Sequence, residues 1–413
     1  MDFKNNKSIL IGAVVVILLI ASFVGGFYTY KLTTSNNTTQ TGNKTGLVNS
    51  TNTTITIVDD TGRLVTIQKY PQRIVSLAPS NTEILYNLGL RSKIVGVDSK
   101  YDYTNQQWYQ FNLNNTTQVT NSTTINYELI VSLRPSLVLA AGITSAAQVE
   151  KMSSLGLTVV VLNPYTMHQI INDVSLVGLI TGQTSIAQKI ATNLTNILNN
   201  IENKMAFAMS RPSVLLTYFP DSNGYWTYGA GTFGGRLIDD AGGFNAANNQ
   251  TSQYPEISQE GLMVLNPEYI LVGVGPYGLN VSSYSSINPL WGNLSAVKGN
   301  TVYTLNDAYI SEPDITLFSI LQEIAYILHP ELFNLTGNMT GEVMNGSTPV
   351  SNISVTIITA KGNFTAQTNS KGIFIFKNIP AGPATIDISY QGKIYNYPEN
   401  VIYLNMGYVT ISV

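Results

Sequence analysis

The chain has 413 residues, of which 44% are hydrophobic and only 11% are charged, whereas about 25% of the residues in a typical soluble domain are charged. At roughly 100 to 200 residues per domain, this length predicts two or three domains. The formal net charge of -3 argues against binding to nucleic acid, which needs a basic surface to neutralise phosphates. The absence of cysteine excludes disulfides, thiolate metal sites, thiol nucleophiles and lipid attachment to an N-terminal cysteine.

Residues 1–30 contain an uncharged apolar segment, Ile9–Tyr28. As a helix, its 20 residues span roughly 30 Å, the thickness of the hydrocarbon core of a bilayer. Lys4 and Lys7 precede the segment and only Lys31 follows it, so the positive-inside rule places the rest of the chain outside the cell. We expect a single-pass membrane anchor; a cleaved secretory signal is the alternative, because small residues lie near the end of the segment.

Residues 31–54 are rich in Ser, Thr and Asn and contain few apolar residues, which predicts a disordered linker. After the apolar segment the chain contains 17 Asn-x-Ser/Thr sequons, several of them in this linker. Sequons of this kind accept N-linked glycans outside the cell, so we expect a glycoprotein.

The region after the linker alternates short apolar strands with helices, a pattern typical of parallel βα units. Two alternating segments, Ile55–Val58 and Arg63–Ile67, predict a hairpin around an Asp-Asp-Thr-Gly turn. A helix is predicted from Pro79, with Ser80 or Asn81 as its cap. Buried strands are predicted at 73–78, 94–97, 137–141 and 158–162.

A second α/β lobe is predicted behind one long helix. Apolar residues recur every three or four positions from Thr184 to Met205, which predicts a helix of about 22 residues. An amphipathic segment, Met167–Ile180, precedes it. After Pro212 the βα pattern resumes, with strands at 214–219 and 269–274 and helices at 232–241 and 315–328. The fold class is therefore α/β, with two Rossmann-like lobes joined by one long backbone helix.

After Thr336 the pattern changes to all-β, and residues 341–413 are predicted to form a separate β domain. Alternating strands are predicted at 354–359, 373–376 and 385–390, with Gly, Pro and Asn turns between them. The segments Thr368-Asn-Ser-Lys-Gly-Ile-Phe-Ile-Phe and Ile379-Pro-Ala-Gly resemble the carboxypeptidase regulatory-like β-sandwich. That resemblance implies a spacer or interaction module without catalytic residues.

Four sequence blocks between residues 55 and 335 resemble the iron-chelate and vitamin B12 substrate-binding proteins of ABC importers. The blocks begin at Arg73 (RIVSLAPSNTE), Asn126 (NYELIVSLRP), Gly229 (GAGTFGG, followed by DAGGFN) and Ile257 (ISQEGLMVLNP). The resemblance implies an N-lobe at 55–183, a backbone helix at 184–208 and a C-lobe at 209–335, with a ligand cleft between the lobes. It also implies a metal-chelate ligand, either a corrinoid such as cobalamin or a ferric siderophore, and an ABC permease with its ATPase as partners.

The ligand should contact the loops at the ends of the strands. Aromatic side chains there provide flat apolar surface with polar tips, which suits a large planar ligand. The residues expected to bind the ligand are Ser80, Asn81, Lys100, Tyr101, Tyr103, Trp226, Tyr228, Tyr254, Asn306 and Tyr309.

Glu128 and Glu260 occupy equivalent positions near the starts of two helices, each seven residues before a proline. The resemblance implies that these carboxylates pair with arginines of the permease. The alternative is that they only cap their own helices and favour the positive end of the helix dipole.

Other functions are less well supported by the sequence. The Gly229-x-Gly231-x-x-Gly234 pattern does not directly follow its strand, so a dinucleotide site is not expected. His168 and His329 are the two histidines, too few for a bare-metal site, and no catalytic triad or carboxylate pair is evident. We expect no metal, no cofactor and no enzymatic activity. The alternative to transport is an adhesion or sensor protein that reuses the binding fold.

Overall fold

The computed structural model describes residues 54–98, 116–121, 124–220, 224–274, 290–359, 361–401 and 406–413, which form two compact units. The first unit comprises the described residues up to Pro164 together with Asn172–Ile190. The second comprises Tyr165–Ile171 and the described residues from Ala191 onward. The predicted anchor lies outside the described residues, and among the residues described no helix is long and apolar enough to span a bilayer.

The first unit contains a five-stranded parallel sheet with the order β5-β4-β3-β8-β9. Its central strands are almost wholly apolar and buried, because helices cover both faces of a parallel sheet. Two hairpins accompany it. The strands of this unit are β1 (Thr54–Val58), β2 (Leu64–Gln68), β3 (Ile74–Ser76), β4 (Ile94–Val97), β5 (Thr117–Gln118), β6 (Thr120–Asn121), β7 (Thr124–Ile125), β8 (Leu137–Ala141) and β9 (Val159–Leu162).

The helices of this part of the chain follow the predicted βα alternation. They are α1 (Pro79–Asn87), α2 (Tyr127–Ser132), α3 (Ala146–Ser154), α4 (Met167–Thr181) and α5 (Thr184–Met205). The predicted long helix, Thr184–Met205, is confirmed at both ends. The division between the two units falls inside α5, after Ile190.

The turn between β1 and β2 covers the free edge of β9. Val161 N donates to Asp59 Oδ2 at 3.2 Å, and Asn163 N donates to Asp60 Oδ2 at 2.6 Å. Asp60 N donates to Val161 O at 3.2 Å, and the guanidinium of Arg63 donates to the carbonyl oxygen of Val159 at 3.1 Å. The backbone groups of an edge strand are therefore satisfied by a turn rather than by another strand.

The second unit contains a six-stranded mixed sheet with the order β13-β11-β10-β14-β15 and β12 beside β10. The predicted strands β10 and β14 run parallel to each other and to β15, whereas β11 pairs antiparallel with both β10 and β13. The strands are β10 (Ser213–Pro220), β11 (Tyr225–Thr227), β12 (Phe244–Asn245), β13 (Glu256–Ile257), β14 (Tyr269–Val274) and β15 (Val302–Asn306). The helices are α6 (Phe233–Asp240), α7 (Gln259–Leu265), α8 (Ser295–Lys298), α9 (Asp307–Ser311) and α10 (Leu317–Leu328).

The C-terminal part of the second unit is rich in β structure. One sheet joins β16 to β17, β20 and β23, and the other has the order β19-β18-β21-β22. Buried residues from both sheets, including Phe374, Ile357 and Ile386, form one hydrophobic core. The strands are β16 (Thr336–Asn345), β17 (Thr348–Pro349), β18 (Ser354–Thr359), β19 (Gly362–Gln367), β20 (Ile373–Pro380), β21 (Gly382–Tyr390), β22 (Lys393–Val401) and β23 (Met406–Ser412).

This β-rich region begins where the sequence pattern changes. Strand β16 starts at Thr336, shortly after the 3-10 turn Pro330–Phe333. The backbone N–H of Ala381 donates to the carbonyl oxygen of Leu335 at 3.0 Å, and Lys361 Nζ donates to Asn334 Oδ1. The region is thus joined to the preceding α/β part by hydrogen bonds as well as by the chain.

Candidate functional site

Ser80 and Asn81 lie in the first turn of α1, immediately beyond the carboxyl end of β3. Neither caps the helix as predicted, because Pro79 occupies the first turn and the N-cap is Ala78, which has no side-chain donor or acceptor. Ser80 and Asn81 are both buried, and Asn81 Nδ2 has no hydrogen-bond partner among the described residues. A buried amide donor without an acceptor is costly, but Asn81 is only 1% exposed, so a ligand atom would reach this group only if the residues around it moved.

The loop after β4 was expected to supply three ligand contacts. Lys100, Tyr101 and Tyr103 lie outside the described residues. These three residues therefore remain predictions from the sequence.

The aromatic residues of the second unit differ in exposure. Trp226 is 46% exposed on β11, where it pairs with Glu256 of β13, and Tyr254 is 51% exposed. Tyr228 is only 2% exposed, and its hydroxyl donates to the carbonyl oxygen of Ile310 at 2.8 Å. Trp226 and Tyr254 can thus contact a ligand directly, whereas Tyr228 has little surface left to offer.

Tyr228 instead supports its neighbours. Its ring makes edge-to-face contacts with Phe233, at a centroid distance of 5.3 Å, and with Tyr254, at 5.9 Å. A Cβ atom on Gly234 would lie 2.3 Å from the Tyr228 ring, and one on Gly229 would lie 2.5 Å from the carbonyl oxygen of Ser252. Gly234 is therefore needed for close packing against Tyr228, and Gly229 for the close approach of the Ser252 backbone.

Asn306 and Tyr309 lie at the carboxyl end of β15, as predicted. Asn306 is the last residue of the strand and is exposed, and Tyr309 is half-buried on α9. Both follow a strand that is parallel to β14, so they share the carboxyl-end placement expected of ligand contacts in α/β folds.

Tyr165 was missed by the sequence reasoning. It follows β9 and is 51% exposed. Burial, followed by the effect of Tyr165, raises the pKa of Tyr254; both tyrosines belong to the second unit. The signal was present in the sequence, because Tyr165 comes three residues after a correctly predicted strand.

The described side chains at these positions are uncharged. Trp226, Tyr254, Tyr165 and Asn306 carry no formal positive charge. Arg236, on α6, forms an ion pair with Asp240 at 2.8 Å, so its charge is already matched. Burial raises the pKa of Asp240 to about 6 despite the opposing effect of Arg236.

Glu128 and Glu260 have matching surroundings. Glu128 is the second residue of α2, and Glu260 is the second residue of α7. The N-cap side chain of each helix accepts a backbone hydrogen bond at 3.0 Å, through Asn126 Oδ1 in α2 and through Ser258 Oγ in α7. Both carboxylates are exposed and make no hydrogen bond or ion pair with the described residues. The capping function is thus performed by neighbouring residues, which leaves both carboxylates free for an external partner.

The match extends along both helices. Ile130 and Leu262, two residues after each glutamate, are fully buried. Arg134 and Asn266 then adopt left-handed backbone conformations, with φ of 47° and 37°, each directly before a proline. The same local structure therefore presents a carboxylate in each unit.

The two histidines do not form a metal site. His329 is buried and its Nε2 lies 3.1 Å from the carbonyl oxygen of Gly242, whereas His168 is exposed on α4. Among the residues described, no group of three or more His, Asp or Glu side chains could hold a metal ion.

The periplasmic binding protein family matches residues 74–309, which is more than half of the chain. The chain belongs to this family. This periplasmic binding protein is 29% identical to an uncharacterized ABC transporter substrate-binding lipoprotein of Bacillus subtilis over 286 residues, covering 68% of the chain and 87% of that relative. It is 27% identical over 283 residues to a cobalamin-binding protein of Halobacterium salinarum, covering 67% of the chain and 74% of the relative.

Solved structures share the fold. A periplasmic solute-binding protein of Veillonella parvula superimposes with a TM-score of 0.58 at 22% identity, covering 68% of this chain and 87% of the other. The periplasmic vitamin B12 binding protein of Vibrio cholerae superimposes with a TM-score of 0.54 at 23% identity, covering 63% and 97%. The predicted role as a solute-binding protein of an ABC importer is confirmed at the level of the family, in preference to an adhesion or sensor protein.

Proposed function

We propose that this periplasmic binding protein captures a corrinoid of the cobalamin class and delivers it to an ABC permease. The observation that carries the proposal is the pair of exposed aromatic side chains, Trp226 on β11 and Tyr254, whose ring packs against the buried Tyr228. Relatives named as cobalamin-binding proteins give further support.

The chemistry of the available groups favours a corrinoid over an anionic ferric siderophore. A corrinoid is a large ring with amide side chains, which aromatic faces and amide groups can contact without opposite charges. Asn306 supplies an exposed amide residue, and Trp226 and Tyr254 supply aromatic faces. An anionic chelate would need cations; Arg236 is paired with Asp240, and Lys100 is the one predicted ligand contact that carries a positive charge.

Calorimetric titration with cyanocobalamin, cobinamide and a ferric siderophore tests the ligand class. We expect binding of the corrinoids only. Trp226→Ala should weaken binding about 10-fold to 100-fold, because burying a large apolar side chain against a ligand contributes about 1.5–3 kcal/mol. Phe207→Ala is the matched control, since Phe207 is an exposed aromatic residue at the end of α5. Binding of the siderophore alone, or no effect of Trp226→Ala, would contradict the proposal.

We also propose that Glu128 and Glu260 dock the loaded protein on its permease. Their support is the matched pair of exposed carboxylates without partners among the described residues. The double variant Glu128→Ala/Glu260→Ala should bind corrinoid with unchanged affinity but lose uptake in cells that depend on this protein. Glu150→Ala, which removes an exposed carboxylate from α3, should change neither. Retained uptake by the double variant would exclude the docking role while leaving the ligand proposal intact.

The remaining proposals concern the N-terminal segments, the C-terminal region and the glycosylation sites. We propose that residues 1–30 anchor the protein, that residues 31–54 are a linker, and that the β-rich C-terminal region is a carboxypeptidase regulatory-like spacer. We further propose that exposed sequons carry N-linked glycans, for which the support is the exposure of Asn193, Asn249, Asn293, Asn334, Asn345, Asn352 and Asn363. Membrane fractionation and glycopeptide mass spectrometry of protein from its native cells test these points. A soluble, unmodified chain would refute both the anchor and the glycans.

A further inference from the structure

The first turn of α1 has backbone donors that the helix itself does not satisfy. The N–H group of Thr82 is the first to be bonded within the helix, donating to the carbonyl oxygen of Ala78 at 3.2 Å. Pro79 has no N–H group, so the N–H groups of Ser80 and Asn81 precede this internal bonding and need other acceptors. Ala78, the N-cap, has no side-chain acceptor to offer them.

The side-chain amide of Asn81 adds a donor at the same place. Asn81 is 1% exposed, and its Nδ2 has no hydrogen-bond partner among the described residues. Because helical side chains lean toward the N-terminus of their helix, the side chain of the third residue lies beside the first-turn N–H groups. Gln148, the third residue of α3, shows this geometry, since its Oε1 accepts Ser145 N at 2.8 Å. The third position of α1 therefore directs the Nδ2 group of Asn81 at the start of the helix.

Buried hydroxyl groups fix the conformation of this turn. Thr82 Oγ1 donates to Ser76 Oγ at 2.8 Å, and Ser76 Oγ donates to the carbonyl oxygen of Ala78 at 3.1 Å. All three residues are buried. The end of β3 and the start of α1 are thus held together before a ligand arrives, so little entropy is lost in ordering the donors when a ligand binds.

The electrostatics of the turn favour an anion. The first turn of α1 contains no acidic residue, so no carboxylate of the helix matches the positive end of its dipole. Glu83 is the one acidic residue of α1, and its Oε1 accepts Asn87 Nδ2 at 2.6 Å, one turn toward the C-terminus. A group of N–H donors at the positive end of a helix binds an anion in preference to a cation.

We propose that the start of α1 binds a phosphate-like oxyanion through Ser80 N, Asn81 N and Asn81 Nδ2. Hydrogen bonds from these groups to a charged oxygen are stronger than those to a neutral acceptor. Because Ser80 is 7% exposed and Asn81 is 1% exposed, the bound anion is enclosed, and it enters when the residues around the turn move. Enclosure strengthens the hydrogen bonds, since little water competes for the donors.

Two sources can supply the oxyanion. One is free inorganic phosphate. The other is the phosphodiester group of a bound cobalamin, and this source rests on the corrinoid function proposed above. Cobinamide is a corrinoid without that phosphodiester, so a comparison of the two corrinoids separates the sources.

Calorimetric titration of the full chain with inorganic phosphate, cyanocobalamin and cobinamide tests the site. Wild-type protein should bind phosphate if the anion is free, and should bind cyanocobalamin more tightly than cobinamide if the anion is the phosphodiester. In either case Asn81→Asp should weaken the binding of the anion-bearing ligand about 10-fold to 100-fold, because a carboxylate replaces a donor to a charged group. The affinity for cobinamide should not change.

Gln148→Glu is the matched control. It makes the same change at the third position of α3, a helix that Ser145 already caps, and should leave the affinities for all three ligands unchanged. If Asn81→Asp does not fold, Asn81→Ala serves in its place, since it removes the same donor without adding charge and should weaken the same binding.

The inference is overturned if the wild-type protein binds no phosphate and binds both corrinoids with equal affinity. It is also overturned if neither substitution of Asn81 weakens the binding of phosphate or cyanocobalamin. If neither corrinoid binds, the corrinoid proposal fails and the phosphate titration alone decides: phosphate binding that depends on Asn81 supports the anion site, and the absence of phosphate binding refutes it.

Discussion

Asp314→Asn should remove a large part of the pH dependence of stability. Asp314 is fully buried before α10; its Oδ1 accepts Thr316 N at 2.7 Å and Thr316 Oγ1 at 2.6 Å, and its Oδ2 has no partner among the described residues. Burial raises the pKa of Asp314 to about 7, although the bonds from Thr316 and Leu317 oppose the shift. Asparagine keeps the accepting oxygen and removes the titration.

The magnitude follows from proton linkage. An aspartic acid in the unfolded chain has a pKa of about 3.9, so folding raises the pKa of Asp314 by about 3 units. Because the folded state binds the extra proton, this contribution to stability is complete below pH 4 and is lost as the pH rises to about 7. At about 1.4 kcal/mol per unit, the free energy of unfolding should fall by about 4 kcal/mol over this range.

Urea unfolding at pH 4, 5.5, 7 and 8 measures the effect. Asp173 and Asp240 also titrate with raised pKa values, so the informative quantity is the difference between Asp314→Asn and wild type. That difference should be small at pH 4 and should favour the variant by about 4 kcal/mol at pH 8. A difference that stays constant with pH would refute the assignment of Asp314 as a neutral buried acid.

Two further substitutions test the packing described above. Gly234→Ala should destabilise the second unit by about 1–3 kcal/mol and weaken ligand binding, because its Cβ would lie 2.3 Å from the Tyr228 ring that supports Tyr254. Calorimetry and ligand titration measure both effects, with Gly292→Ala as the control, since a Cβ there meets nothing within 4 Å. Equal effects of the two substitutions would contradict the packing role of Gly234. In thermal unfolding, Phe374→Ala should destabilise the β-rich region by about 3–5 kcal/mol. Ile375→Ala is the control and should have little effect, because Ile375 is 52% exposed. Similar losses of stability in both variants would show that Phe374 is not a core residue.

Local periodicity predicted most of the elements. The ends of α5 and of β4, β8, β14 and β18 agree with the sequence pattern, because each is a continuous run with one repeating burial period. The short strands β11 and β13 were missed. Each has two or three residues, and its antiparallel pairing depends on partners about 30 residues apart, which no local window contains.

The candidate site was predicted less completely than the fold. The order of the strands along the chain was enough to predict that Ser80, Asn306 and Tyr309 lie at strand ends. The burial of Tyr228 could not be predicted in this way, because it depends on the contact of its side chain with Ile310. The burial of Asp173 and Asp314 could not be predicted either, since nothing in the local sequence marks an aspartate as buried.

The turn that covers β9 also bears on how copies of this protein behave in a crowded solution. With only 11% charged residues, the chain has little electrostatic repulsion to keep neighbouring molecules apart. An uncovered, apolar edge strand such as Val159–Leu162 would offer its backbone to a strand of another copy. By occupying those hydrogen-bonding groups, Asp59, Asp60 and Arg63 protect the sheet against self-association, and any condition that frees the hairpin should favour aggregation through this edge.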